Sequence, residues 1–543
     1  MMSPSFSAFK PRYWARLRLS LWRGLVLGVL GLGLSDISPH PPAAAWAQSS
    51  TPSLSTSAAG QTNPTRLPSL GDGSEIPLGE ERRLGDSIMR EVLRDPDVID
   101  DPLLAEYVGT LWQRLREAAR QRGEISNELE EQFSWELMLI RDKSVNAFAL
   151  PGGYMGVHLG LVGVVSTRDE LASVLAHELS HITQRHIARL LTQQQQQTPM
   201  VMAAMIVGLL AASRNPQAAQ AMMVGGQAVA IQNQLNFSRD MEREADRVGY
   251  GVANQAGFEP AGFVTMFEKL LHASRLNDSG GFPYLRSHPL TTERIADMQA
   301  RQQLLPATQR PGADWEHALM SARARVLANP GMDAQRHFSL DADSVLAEPL
   351  RRAAALYAAV LADTRLREHD RARQRLGQLT LLSQGDQKGR ELVQLLAAEV
   401  SVATGQALQA VALLEPLPPS RSTQVLLAQA RVATGLPVQG RLAAENIQKL
   451  VGTHPRESQL WDLLGQALGL QGDGLRSLRA QAEASALRWD YAGALDRLKA
   501  AQELIKARAR TGQLSRSDEM EAAIIDARAR LFQSARREQM LQR

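Results

Sequence analysis

The sequence predicts an α+β, mainly helical domain over residues 78–305, followed by an all-α domain over residues 348–543. Three observations support this division. Apolar residues recur at helical spacing through most of 78–305, interrupted by one segment, residues 133–140, that alternates as a strand does. Residues 171–191 read as an amphipathic helix carrying His177-Glu178-Leu179-Ser180-His181. From residue 348 onward the helical pattern is continuous, with alanine at packing positions and Gly or Pro as punctuation.

At 543 residues the chain is too long for one core and is expected to form two or three folded units. A hydrophobic fraction of 44% and a charged fraction of 22% describe a globular protein, neither a disordered tail nor a multi-span membrane protein. The net charge of +3 sits at the N-terminus, where Lys10, Arg12, Arg16, Arg18 and Arg23 face only Asp36. That local balance of +4 leaves −1 for the remainder. No basic patch argues for nucleic acid.

Residues 1–47 have the layout of a signal peptide: the basic segment, an apolar run over 25–34, and Ala45-Trp46-Ala47 before Gln48. Cleavage is expected after about Ala47, because the apolar run is short of the roughly 20 residues that span a bilayer; an uncleaved anchor is the alternative. A periplasmic location follows as the simplest expectation. The absence of cysteine rules out acylation at a lipobox and a disulfide framework. Residues 48–77, rich in Ser, Thr, Pro and Gly, read as a flexible linker.

Within 78–305, residues 103–120 carry Leu104, Tyr107, Val108, Leu111 and Leu115 on one helical face. Residues 146–150 are a second candidate strand, ahead of the turn Pro151-Gly152-Gly153. On the following helix His177 and His181 lie one turn apart, so both imidazoles can share one Zn2+. Glu178, one step round, is placed to act as general base toward a water that the metal activates.

The position of the third ligand separates classes of zinc hydrolase. A metzincin would need Gly at 184 and His at 187, where this chain has Gln184 and Ile187. His186 is half a turn out of phase with His177 on a continuous helix and is expected to face away from the metal, in a structural or surface role. Downstream, Glu242-Arg243-Glu244-Ala245-Asp246 reads as helix. Glu242 as ligand leaves Asp246 one turn away to accept a hydrogen bond from a ligand histidine; Glu244 is the competing ligand. Two His, one Glu and an open fourth position define a catalytic, gluzincin-type centre.

Residues 306–347 are a connecting segment. Beyond them Val402-Ala403-Thr404-Gly405 recurs as Val432-Ala433-Thr434-Gly435, with a similar break at Gly472. These spacings bracket the roughly 34-residue period of tetratricopeptide repeats. Trp461, Leu464 and Gly465 match the opening of that repeat, and Tyr491, Ala494, Leu498 and Ala501 match its second helix, so residues 348–543 read as tetratricopeptide-repeat-like. A generic helical bundle is the plainer alternative.

Four motifs in order, residues 146–153, His177 to His181, Glu242 to Asp246, and Ser287-His288-Pro289, resemble the HtpX-like and CAAX-prenyl-protease-like metallopeptidases. The resemblance implies a peptidase with one Zn2+ per chain, whose edge strand, here Asn146, Ala147, Phe148 and Ala149, takes a substrate polypeptide as an added strand. It implies misfolded or stalled envelope proteins, notably outer-membrane β-barrel proteins, as substrates, with the repeats docking substrate or the barrel-assembly machinery. It also implies that His288 approaches the zinc as a regulatory fourth ligand. An oxyanion donor is expected, and His288 and Arg294 both remain open for it. Related membrane-embedded proteases have spanning helices near residues 200–212, here an apolar run too short to span, which is read as touching a membrane surface or covering the active site; burial in the core is the plainer alternative. A second functional reading is a latched chaperone or adaptor that assists outer-membrane protein assembly.

Overall fold

The computed structural model describes residues 76–193, 239–276, 282–303, 314–342 and 348–541. The expected signal sequence, nearly all of the expected 48–77 linker and the 200–212 segment lie outside these residues.

The chain opens with α1 (Leu78–Val92), the short β1 (Val98–Ile99) and α2 (Pro102–Gln121). Asp101 starts α2 by accepting from Leu104 N, with Pro102 at the first turn where its missing N–H costs nothing. Leu104, Tyr107, Val108, Leu111 and Leu115 are all buried, as their spacing predicts. After α3 (Asn127–Gln132) come β2 (Glu136–Ile140), β3 (Ala147–Leu150) and β4 (Tyr154–His158). Their order in the sheet is β1-β2-β4-β3, with β2 parallel and β3 antiparallel to β4.

The β3–β4 turn needs its glycines, since Gly152 and Gly153 have φ of 78° and 85°. β2 begins at Glu136, later than the alternation suggested, because Trp135 takes φ 54° and breaks the extended run. β4 had no alternating signature because every one of its residues is buried. Its position inside the sheet leaves β3 at an open edge.

α4 (Leu159–Val164) leads to α5 (Arg168–Thr183), the helix that holds the His-Glu-Leu-Ser-His pentapeptide. Thr167 caps it by accepting from Glu170 N. From Glu170 to Thr183 every residue of α5 is buried, so it is a central helix and not an amphipathic surface one. The helix expected over 171–191 is also interrupted. Arg185 adopts φ 53°, held by Glu81 at 2.8 Å and by the Ile76 carbonyl, and the chain restarts as α6 (His186–Gln193).

α7 (Arg239–Gln255) lies against α5 at very short range. A Cβ on Gly249 would come within 3.0 Å of the Ala176 backbone, so glycine permits the approach that brings Glu242 and Asp246 beside the histidines. α8 (Ala261–Leu276), α9 (Tyr284–Ser287) and α10 (Thr292–Gln303) complete this region.

Helices continue through α11 (Trp315–Ala328), α12 (Met332–Asp341), α13 (Pro349–Leu366), α14 (His369–Leu382), α15 (Gln387–Ala403), α16 (Ala407–Leu414), α17 (Arg421–Ala433), α18 (Pro437–Thr453), α19 (Ser458–Leu470), α20 (Gly474–Leu487), α21 (Tyr491–Arg510) and α22 (Arg516–Leu541). From α17 on, each packs against its predecessor. Gly405, Gly435 and Gly472, the repeated breaks in the sequence, follow helix ends with φ of 76°, 69° and 79°.

One apolar cluster runs from Leu103 in α2 through the sheet, α5, α7 and α11 to Ala430 in α17. At its border the guanidinium of Arg323 (α11) bonds Asp101 at 2.7 Å, Glu399 (α15) at 2.6 Å and the Tyr357 hydroxyl (α13) at 3.3 Å. Arg323 is buried, and it therefore ties the start of α2 to the later helices. Arg323→Ala leaves two carboxylates facing each other, and a loss of about 3–5 kcal/mol is expected in guanidinium unfolding. A loss under about 1 kcal/mol, the scale of an exposed pair, would contradict this account.

Candidate metal centre

α5 presents His177 and His181 on one face, α7 presents Glu242, and the loop after α9 brings in His288. One ligand atom from each lies within 4.8 Å of all the others, and all four residues are buried. His177 Nε2 is 3.0 Å from His181 Nε2 and 3.3 Å from His288 Nδ1. Glu242 reaches all three rings, at 3.4 Å from His177 Nε2, 3.5 Å from His181 Nε2 and 2.9 Å from His288 Nδ1.

Imidazole nitrogens converging this closely on one carboxylate need a proton or a cation between them. Glu178 Oε1 and Glu242 Oε2 are buried without a well-formed hydrogen bond, although Arg294 approaches the latter to 2.8 Å. The residues therefore fit a divalent metal, and imidazole with carboxylate is a donor set suited to zinc.

Behind the ligands, Asp246 Oδ1 lies 3.0 Å from His177 Nδ1. Asp246 is in turn gripped by Arg294 through Nε at 2.6 Å and Nη2 at 2.8 Å. Burial disfavours a charged His177, but Asp246 and Glu242 prevail and push it up to about 10. Burial likewise opposes the Glu242 and Asp246 charges, yet His288 and His177 hold Glu242 well below the carboxylate range, and Arg294 and His177 hold Asp246 down. Glu242 and Asp246 thus stay ionised in the pocket despite their burial. Burial, aided by the neighbouring histidines, keeps His181 well below its ordinary value, and burial together with Arg189 outweighs Glu244 to bring His186 to about 4.

Glu178 is fully buried between this cluster and the sheet. Its Oε2 accepts from the Ala149 N–H of β3 at 3.1 Å, and its Oε1 lies 3.4 Å from His288 Nε2. Burial raises its pKa above the usual range, which suits a group that must take up a proton.

β3 is oriented for pairing at its open edge. His158 N donates to the Asn146 carbonyl at 3.0 Å, so in this antiparallel register Asn146 and Phe148 face β4 while Ala147 and Ala149 turn their backbone groups outward. The bond from Ala149 to Glu178 agrees with that alternation. At the near end of the edge, Tyr284 N donates to the Val145 carbonyl at 3.4 Å.

Glu244, the competing third ligand, points elsewhere, toward His186 at 3.1 Å and Arg189 at 2.8 Å. His186 itself is neither on the surface nor remote from the histidines: the break at Arg185 returns it to 2.8 Å from His181. Of the two candidate oxyanion donors, Arg294 is occupied behind the ligands, while His288 sits inside the cluster.

Sequence reasoning missed Tyr284, whose ring stacks on His288 with centroids 4.6 Å apart. No motif marks it. The Arg294–Asp246 pair was equally hidden, since 48 residues separate its members and only the packing of α10 on α7 unites them.

Residues 109–302 match Peptidase family M48. The chain belongs to this family of metallopeptidases and is an enzyme that cleaves polypeptides with a bound metal. Over 446 residues it is 30% identical to the Beta-barrel assembly-enhancing protease of Escherichia coli (strain K12), covering 81% of this chain and 88% of that protein. It is 36% identical over 289 residues to the Putative beta-barrel assembly-enhancing protease of Vibrio cholerae, covering 53% of this chain and 55% of that one. More distantly, it is 28% identical over 201 residues to the Mitochondrial metalloendopeptidase OMA1 of Saccharomyces cerevisiae, covering 36% of this chain and 55% of that one.

Proposed function

We propose that the chain is a periplasmic endopeptidase with one Zn2+ per chain, held by His177, His181 and Glu242, and that His288 latches it in the resting state. The observation that carries this is the double contact of the His288 ring. Its Nδ1 faces Glu242 and His177, while its Nε2 faces Glu178. One side chain thereby takes the fourth ligand position and engages the general base.

Held by His177, His181 and Glu242, zinc would supply Lewis acidity toward the scissile carbonyl and toward water. Glu178 takes the proton and returns it to the leaving amine. Asp246 receives the Nδ1–H of His177 and so sets its tautomer, with Arg294 fixing the carboxylate. The outward backbone groups of Ala147 and the carbonyl of Ala149 pair with an extended substrate, the Ala149 N–H being held by Glu178. Such pairing tolerates many side chains and suits unfolded polypeptides.

The substrates proposed are misfolded or stalled outer-membrane β-barrel proteins, in keeping with the name of the Escherichia coli relative. The later helices are read as tetratricopeptide-like repeats that dock substrate or the barrel-assembly machinery. Support comes from α19 and α20, where a Cβ on Gly465 would meet Gln481 Cγ at 2.9 Å, so the W-x2-L-G glycine lets a helix pair close. Ala494, Leu498 and Ala501 are buried on the facing side of α21. Among the described residues no helix is long and apolar enough to cross a membrane. Contact with a membrane surface through residues 200–212 is proposed from their composition alone.

Zinc content and casein cleavage test the reading directly. Zinc near one per chain is expected, with cleavage lost on chelation and restored by zinc. Absence of zinc would overturn the centre, and stoichiometric zinc without cleavage in the wild type or in a His288→Ala variant would favour the chaperone reading.

A further inference from the structure

His181 has its own chain of support, distinct from the Asp246–Arg294 pair behind His177. At the end of α5 the left-handed Arg185, clamped by Glu81 of α1, swings α6 round so that His186 returns to the metal helix. His186 Nδ1 lies 2.8 Å from His181 Nδ1, with the rings at 75° and centroids 4.9 Å apart. Its Nε2 lies 3.1 Å from Glu244 Oε2, the oxygen that also accepts from Arg189 at 2.8 Å. The His186 side chain has no exposed surface.

Two neutral imidazoles whose nitrogens meet at 2.8 Å share one proton. His181 turns its Nε2 toward His177 and Glu242, so as a ligand it is bare there and carries its proton on Nδ1. His181 then donates and His186 accepts. This leaves the proton of His186 on Nε2, where Glu244 accepts it. In this arrangement the donors of His181 and His186 each meet an acceptor, His186 and Glu244 in turn.

We propose that His186 and Glu244 form a relay that fixes the tautomer and ring orientation of His181, making His186 a positioning residue for metal binding. The inference rests on the reading of His181 as a metal ligand. The break at Arg185 is then a functional feature, because a continuous helix would turn His186 away and leave the His181 Nδ1–H without this acceptor. α1, far from the metal in sequence, contributes through Glu81.

The test is zinc affinity of the full chain by competition with a chelator, joined to nitrogen NMR of the histidine tautomers. His186→Phe is expected to weaken zinc binding about 10- to 100-fold, the usual cost of losing such an outer partner. His186→Asn places an amide oxygen near the lost Nδ1 and is expected to recover most of the affinity. Glu244→Gln, at a half-buried position that does not threaten folding, is expected to weaken binding by a smaller factor and to shift the His186 nitrogen signals. Unchanged zinc affinity in His186→Phe and Glu244→Gln overturns the relay, as does an Asn variant no better than Phe. The underlying reading fails separately: a His181→Ala variant that binds zinc as tightly as wild type removes His181 from the ligand set.

Discussion

Glu178→Gln is expected to lower peptide hydrolysis by about 10²- to 10⁴-fold in kcat while leaving zinc bound, as general acid–base groups commonly contribute that much. The substitution is nearly isosteric. Its amide oxygen can still accept from Ala149 N–H, so the tie between α5 and β3 survives. The proposed ligands His177, His181 and Glu242 are untouched. What disappears is the capacity to take a proton from water and hand it to the departing amine. The measurement is casein cleavage beside zinc content in the same preparations. Retained cleavage at a tenth or more of wild type would remove Glu178 from the chemistry. The same variant separates the two functional readings in cells: a protease loses its function with Glu178, whereas a latched chaperone keeps most of it.

His288→Ala is expected to raise hydrolysis, by about tenfold if the latch holds some nine molecules in ten closed, since activity scales with the competent fraction. The ring of His288 lies in the cluster with His177, His181 and Glu242 and contacts Glu178. Its neighbour Tyr284 stacks on it and reaches the Val145 carbonyl beside the β3 edge, so the same short segment covers both the metal and the end of the strand on which substrate would pair. Alanine releases the metal position and the base together. Initial rates of casein cleavage at matched zinc occupancy provide the check. Loss of zinc with loss of activity would mean that His288 holds the metal permanently, and the latch would be abandoned.

The candidate centre was legible where it depends on short-range helical geometry. His177 and His181 are one turn apart, Glu242 and Asp246 are one turn apart, and the local backbone alone decides which side chains share a face. The structure brings all four together with His288. Legibility failed where the backbone departs from regularity or where partners lie far along the chain. The interruption at Arg185 reversed the expected direction of His186, and nothing in the Gln184-Arg185 dipeptide signals a left-handed residue. That conformation is held by Glu81, 104 residues away. β4 was invisible because burial on both faces removes alternation, and β2 was foreseen but started late for the sake of one positive φ.

By itself, then, the sequence determined the helical face that carries the metal ligands, the carboxylate pair one turn apart, the strand before the Pro-Gly-Gly turn and the glycine breaks of the later helices. Each follows from periodicity or from a residue's own conformational limits. Only the tertiary structure decided that β3 lies at an open edge, that Glu242 and not Glu244 faces His177 and His181, that Arg294 stands behind Asp246, and that His186 lies against His181. Those outcomes depend on how close α7 approaches α5, where α10 docks and where the chain breaks, and these are set by packing between distant segments, which no local pattern encodes.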